Sequence, residues 1–203
     1  DTPAFLNYSP EGATKPFPAS LCVSVNDEVV HGIPSKNKIL KKGDIIAIDL
    51  GLKHNGLFTD MALTVGVGEI SSASKKLLEI TEKALMIGID NAYAGNTVGD
   101  IGYAIKSFVR PHKYGIVEVL SGHGVGRAIH EDPYVPNFGK KGTGAKLIPG
   151  MVIAIEPMLN NGTKHVTIDD DGYTIHTADG KKSAHFEHTV LITEDGAEIL
   201  TKI

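Results

Sequence analysis

Four acids in two similar settings are the residues of this chain most able to do chemistry. Gly43-Asp44-Ile45-Ile46-Ala47-Ile48-Asp49 and Gly150-Met151-Val152-Ile153-Ala154-Ile155-Glu156 are apolar runs that each end in a carboxylate. Downstream of each comes a second acid in a strand-like stretch, Asp60 in Leu57-Phe58-Thr59-Asp60-Met61-Ala62-Leu63 and Glu187 in His185-Phe186-Glu187-His188-Thr189-Val190. Aliphatic, β-branched runs of this length read as buried strands, and a carboxylate carried into one is costly unless positive charge meets it. Taken singly, each acid is most simply a strand-end residue bonded to an amide or a cation; repetition across two halves argues for a common site. His123, between Gly122 and Gly124, can approach such a site closely and completes a set of five ligands. Four clustered carboxylates repel one another by several kcal/mol even at an effective dielectric of about 20, and two divalent cations would neutralise them.

Oxygen-rich ligation with one imidazole suits Mn²⁺, Fe²⁺ or Co²⁺ better than a structural zinc site, which prefers Cys and His. Two such ions about 3.5–4 Å apart lower the pKa of a shared water and stabilise an oxyanion, so hydrolysis is the natural reaction class. His130 follows the turn after His123, and His31 closes an apolar stretch before Gly32. A lone histidine is ordinarily solvated or satisfied, but beside two metals each of these could donate to a developing oxyanion or a peptide nitrogen. His185 and His188 flank Glu187 and read as supporting or structural. His54, His112, His165 and His176 have no comparable context.

The elements that must hold these residues follow from periodicity and turn chemistry. Residues 1–20, rich in Pro, Ser and Gly, read as an extended or looping opening segment, and Leu21–Val30 as a strand or hairpin. The Asp44–Leu52 and Leu57–Val65 runs form the arms of a β-hairpin turned by Asn55-Gly56, with Asp49 and Asp60 on its two arms. Alternation puts Ile45, Ala47 and Asp49 on one face and Ile46, Ile48 and Leu50 on the other, so the strand is expected to be covered on both sides. Ser71–Tyr93 reads as a helix, and Thr97-Val98-Gly99-Asp100 as a capping box opening a second that ends near Arg110, before Pro111. A strand near Gly115–Val119, the Gly122–Arg127 turn, the second echo, a hairpin at Asp171-Gly172 and a Ser183–Ile192 strand make the second half mostly β.

At 203 residues, 41% hydrophobic and 22% charged, the chain fits one globular domain over residues 1–203. A net charge of −4 gives no basic stripe for DNA and no basic amphipathic helix for a membrane. The one cysteine, Cys22, excludes an intramolecular disulfide framework and fits a reducing compartment; with no signal-peptide pattern or membrane-length run, a cytoplasmic location is expected.

These motifs resemble the type I methionine aminopeptidases, dinuclear metallohydrolases of the pita-bread fold. The likeness runs in order through Ser24–Pro34, the Asp49 and Asp60 pair, Gly122-His123-Gly124-Val125-Gly126-Arg127 with His130, Glu156-Pro157-Met158, and Ser183–Thr189. It implies an α+β fold of two pseudo-symmetric halves, a curved antiparallel sheet covered by helices. Asp60 and Glu187 would bridge two divalent ions (Co, Mn, Fe or Zn), Asp49 would complete one site, and His123 with Glu156 the other. Glu156 would also take a proton from the metal-bridging hydroxide's parent water as it attacks, His130 would contact the scissile peptide, and His31 would orient it. The implied substrate is a nascent peptide with an amino-terminal Met, its free amine at the metal completed by Asp49; the ribosome is a candidate partner and a monomer is expected. Phe17 and Cys22 fall at side-chain pocket positions, Tyr8 is a further wall, and Ile129 and Tyr173 stand where Phe and Trp are common. The family's amino-terminal segment, with its helix, precedes the point where the resemblance begins, so a catalytic domain without that segment is expected. The rival readings are a proline-specific aminopeptidase or dipeptidase of the same fold, disfavoured by the Val25–Pro34 run, Arg127 and Phe186, and a non-catalytic pita-bread binding protein, disfavoured by the complete ligand set.

Overall fold

Gly43 and Gly150, which open the two echoing runs, both adopt positive φ, 99° and 90°, and each releases the chain into a buried strand. The computed structural model describes residues 1–10 and 12–202; Glu11 of the opening segment lies outside the described residues. That segment contributes β1 (Thr2–Pro3) and is otherwise loop. Leu21–Val30 becomes β2 (Cys22–Val25) and β3 (Glu28–Val30), turned at Asn26 with φ 57°. The first echo is β4 (Ile45–Asp49), followed by β5 (Leu52–His54), β6 (Leu57–Thr59) and β7 (Met61–Gly66).

Helix α1 (Ser72–Asp90) starts where Ser71 caps it, its hydroxyl accepting from the Ser74 amide at 3.1 Å. Helix α2 (Val98–Val109) opens with the expected box, Asp100 accepting from the Thr97 amide at 2.9 Å, and a short 3-10 turn at Arg110–His112 ends it at Pro111. Then come β8 (Gly115–Ile116), β9 (Gly122–Gly124), β10 (Glu131–Val135), the second echo β11 (Val152–Ile155), β12 (Met158–Asn160), β13 (Val166–Ile168) and β14 (Ile175–Thr177). The chain closes with β15 (Ser183–His185), β16 (Glu187–Ile192) and β17 (Ala197–Ile199).

The main sheet is antiparallel in the order β10-β9-β11-β16-β7-β4-β2, with β17 also on β16. Its middle reads β11-β16-β7-β4, so the two echo strands flank a central pair drawn from opposite halves. Both helices pack on this sheet: Leu77, Leu85, Ile101 and Ile105 share one buried cluster with Ile45, Ile153, Ile155 and Val190. Burial of such side chains, about 1.5–3 kcal/mol each, holds the two halves in one body.

Three local expectations are corrected. The Asn55-Gly56 turn forms, with φ 50° and 87°, and joins β5 to β6, but neither hairpin arm is continuous. The arms break at Leu50-Gly51 and at Asp60, so β4 pairs with β7 while β5 and β6 join β1 in a separate sheet. Gly51 marks the departure: a Cβ there would meet Phe5 at 2.9 Å and Ile129 at 3.0 Å. The strand is also not covered on both faces, because Ile48 and Leu50 are each 37% exposed. The Ser183–Ile192 run breaks at Phe186, and β15 pairs with β12 while β16 joins the main sheet.

Candidate metal centre

Strand breaks bring the acids together. Asp49 ends β4, Asp60 fills the gap between β6 and β7, Glu187 begins β16, and Glu156 follows β11 directly. In the central pair Glu187 lies opposite Ala62 and His188 opposite Met61, so β7 and β16 overlap only at their starts. All four acids therefore converge where those starts meet, and Asp49, Asp60 and Glu187 are buried.

His123 arrives from β9, at the other side of β11. Its glycine neighbours are a packing requirement, since a Cβ on Gly122 would lie 2.2 Å from the Ala154 carbonyl oxygen and one on Gly124 2.1 Å from that of Asp132. The His123 Nδ1–H donates to the Gly124 carbonyl at 2.9 Å, leaving the Nε2 lone pair facing Glu156 Oε1 at 3.6 Å. That is the tautomer a metal ligand needs, held by a backbone oxygen.

Ligand atoms of Asp49, Asp60 and Glu187 lie within 4.8 Å of one another, and so do those of His123, Glu156 and Glu187. The two groups share Glu187. Asp60, His123 and His130 satisfy the same condition, which brings His130 within ligand reach as well. Among the described residues Asp49 Oδ1 and Glu187 Oε1 are buried with no hydrogen-bond partner, a costly state for carboxylate oxygens unless a cation meets them. Unpaired buried oxygens, a bare imidazole nitrogen and overlapping triads fit divalent metal.

Protons take the cations' place when the acids are considered alone. Burial drives Asp49 up to about 6, and burial with the charges of Asp49 and Glu156 drives Asp60 well above the carboxylate range. Glu187 is raised by burial and by the charge of Asp60. Glu156 goes the other way: burial opposes its charge, but the closeness of His185 and the other imidazoles outweighs it. His185 is 1% exposed and places Nε2 3.2 Å from Glu156 Oε2, so it supports that carboxylate from behind.

The acids line a cavity that is open to solvent at its mouth. His31, in a left-handed backbone conformation with φ 58°, and His130 line it. The His130 ring packs edge-on to His123 with centroids 4.5 Å apart, and loss of water with the nearness of His123 pushes its pKa down to about 4. Tyr8, Phe17, Cys22 and Tyr173 form the wall, Phe17 and Tyr173 meeting edge-to-face at 5.2 Å. Ile129 packs behind that wall in the same buried cluster and does not itself line the cavity. Phe5 and Pro10 line it too; neither drew notice in the sequence, because an irregular loop carries no periodicity to mark an inward residue.

Fold and site together define a metallopeptidase. The sequence profile of metallopeptidase family M24 matches residues 4–194, and the chain belongs to that family. Among its relatives, the methionine aminopeptidase of Clostridium perfringens is 52% identical over 92% of this chain and 75% of its own length. Methionine aminopeptidase 1 of Bacillus subtilis is 48% identical over 99% of this chain and 78% of its own length. The crystal structure of methionine aminopeptidase from Thermotoga maritima superposes with a TM-score of 0.92 at 45% identity, covering all of this chain and 79% of that one. A prolidase from Pyrococcus furiosus shares the fold more distantly, with a TM-score of 0.73 at 29% identity over 90% of this chain and 49% of that one.

Proposed function

We propose that this chain removes the amino-terminal methionine from peptides by metal-dependent hydrolysis, with residues 1–203 acting as one catalytic unit. The carrying observation is the pair of ligand groups joined at Glu187, lining a cavity with an apolar, aromatic wall. Asp60 and Glu187 are the residues suited to bridge two divalent ions, Co, Mn, Fe or Zn, with Asp49 completing one site and His123 and Glu156 the other. Such ions, when bound, lower the pKa of water and polarise the carbonyl under attack.

The chain's own residues do the rest. The wall of Phe17, Cys22, Tyr8 and Tyr173 takes the methionine side chain, a soft, flexible group that fills an aromatic-lined cavity well. Seating that side chain brings the peptide's free amine toward Asp49 and its first carbonyl toward the acids. Glu156, held charged by His185 and the neighbouring imidazoles, accepts the proton of the attacking water. His130 and His31 donate to the scissile peptide and steady the charge that develops on its oxygen. Action as a monomer on chains leaving the ribosome, in the cytoplasm, belongs to the same reading; among the described residues no helix is long and apolar enough to cross a membrane.

The test is hydrolysis of Met-Gly-Met-Met beside a Met-Pro and an Xaa-Pro peptide, using chelated protein with and without added Mn²⁺ or Co²⁺. Metal-dependent release of methionine, abolished by Glu187→Ala, supports the reading. Cleavage of the Xaa-Pro peptide alone would reassign the chain to proline-specific chemistry.

A further inference from the structure

The geometry points to Tyr8 as a positioning residue that fixes the tautomer of His130. Tyr8 lies in the otherwise irregular opening loop, yet its backbone is firmly tied. Its amide donates to the Phe5 carbonyl at 2.9 Å, and its carbonyl accepts from the Phe17 amide at 2.8 Å. The Asn7 amide donates to the Phe17 carbonyl at 2.9 Å, with Asn7 itself in the left-handed region at φ 65°. A two-sided clasp between residues 7–8 and residue 17 thus aims the Tyr8 ring inward. There it packs against His130 with centroids 5.2 Å apart, and its hydroxyl lies 2.7 Å from His130 Nδ1.

The phenol is the donor of this pair. Among the described residues the Tyr8 hydroxyl has no hydrogen-bond partner but His130 Nδ1. A phenol oxygen, its lone pair drawn into the ring, is a poor acceptor, whereas an unprotonated imidazole nitrogen is a strong one. The 2.7 Å contact is therefore an O–H to Nδ1 hydrogen bond, and the imidazole proton sits on Nε2. The neighbouring His123 shows the same device with opposite purpose, its Nδ1–H given to a backbone carbonyl so that Nε2 stays bare. Two imidazoles in edge-on contact are thereby set in opposite tautomers: His123 offers a lone pair, and His130 offers an N–H to the peptide being cleaved. A wall residue of the side-chain pocket therefore also prepares the donor, which rests on the peptidase reading given above.

Tyr8→Phe keeps the ring and its packing but removes the O–H. With Met-Gly-Met-Met and Mn²⁺, kcat should fall about tenfold, the worth of one well-placed hydrogen bond, with KM unchanged. The same substitution should cost nothing more in a His130→Ala background. Imidazole ¹⁵N spectra of the metal-free wild type should show His130 protonated at Nε2 and bare at Nδ1, and Tyr8→Phe should mix the two tautomers. A change in KM alone, an equal loss with and without His130, or a wild-type proton on Nδ1 would overturn the inference. The wild-type spectrum decides it even should Tyr8→Phe fold poorly. Absence of metal-dependent methionine release by the wild type would instead count against the peptidase reading, while the spectrum still reports on the tautomer.

Discussion

The Thr189 hydroxyl accepts the amide hydrogen of Asp60 and donates its own to the Asp60 carbonyl, both at 2.8 Å, across 129 residues of sequence. In the same register Thr64 of β7 serves His185 of β15 identically, accepting its amide at 2.9 Å and donating to its carbonyl at 2.7 Å. Glu187 pairs with Ala62 midway between these contacts, so on either side of that pair a threonine side chain replaces the backbone ladder. The two threonines thereby fix the backbone on either side of Glu187, one of the acids of the metal centre.

Replacing Thr189 by valine preserves shape and removes both bonds. The buried amide and carbonyl of Asp60 would each be left unpaired, at about 1–3 kcal/mol apiece. Urea unfolding should show Thr189→Val less stable by about 2–4 kcal/mol, with Thr189→Ser near wild type. Calorimetric titration with Mn²⁺ should show weaker binding for the valine variant, since Asp60 loses its anchor. Equal affinity in both would mean the hydroxyl supports the strands without placing the acid.

The raised pKa of Asp49 fixes the sign of a pH effect. Its folded value, about 6, lies above the ordinary 3.8, so the folded chain holds that proton more tightly than the unfolded chain. The metal-free wild type therefore loses stability from this group as pH rises from 4 through 6. Asparagine has no charge to bury. Metal-free Asp49→Asn should gain on the wild type by on the order of 2 kcal/mol between pH 4 and pH 7, a difference that includes the response of Asp60 and Glu187, which feel the Asp49 charge. Saturating Mn²⁺ should invert the order, because a ligand at a thousand times its Kd adds about 4 kcal/mol to the protein that binds it. A difference that stays flat with pH in chelated protein would place Asp49 outside the buried cluster.

The two echoes made β4 and β11 legible, because an unbroken β-branched run between a glycine and an acid can do little else. Asn55-Gly56 and Thr97-Val98-Gly99-Asp100 were equally plain, since each turn or cap is written within four residues. The strand breaks at Gly51, Asp60 and Phe186 were not legible: nothing in Phe-Thr-Asp-Met-Ala says that the Asp60 amide will bond a threonine from the other half. Phe5 and Pro10 were missed for the same reason, since only tertiary packing turns an irregular loop into a cavity wall. The acids and His123 stand out because their chemistry is unusual in apolar surroundings, whereas a wall residue such as Phe17 looks like any other core side chain.

Gly124 tests whether the space beside His123 is as tight as it measures. An alanine Cβ would sit 2.1 Å from the Asp132 carbonyl oxygen, a rigid backbone atom in the neighbouring β10. Strand β9 would have to shift, carrying His123 with it. Gly124→Ala should lower stability by about 2–4 kcal/mol and weaken metal binding tenfold or more. Gly142→Ala is the control for glycine replacement in general: it has nothing within 4 Å of its Cβ, costs only the strain of its positive φ, 72°, and does not line the cavity.

Tyr173 sits at the end of the β13–β14 hairpin, with its ring edge-to-face on Phe17 and its hydroxyl donating to the Lys15 carbonyl. It joins two loops that, among the described residues, share no backbone hydrogen bond, and its ring lines the cavity. Tyr173→Ala would remove both the wall and the tie. The expected result is a KM for Met-Gly-Met-Met raised about tenfold, since one aromatic pair and its buried area are lost, with kcat changed far less. Tyr173→Phe separates the two contributions, because it keeps the ring against Phe17 and loses only the bond to Lys15. If the phenylalanine variant matches the wild type, the wall holds methionine by ring packing; if it matches the alanine variant, the wall depends on tying the opening loop in place.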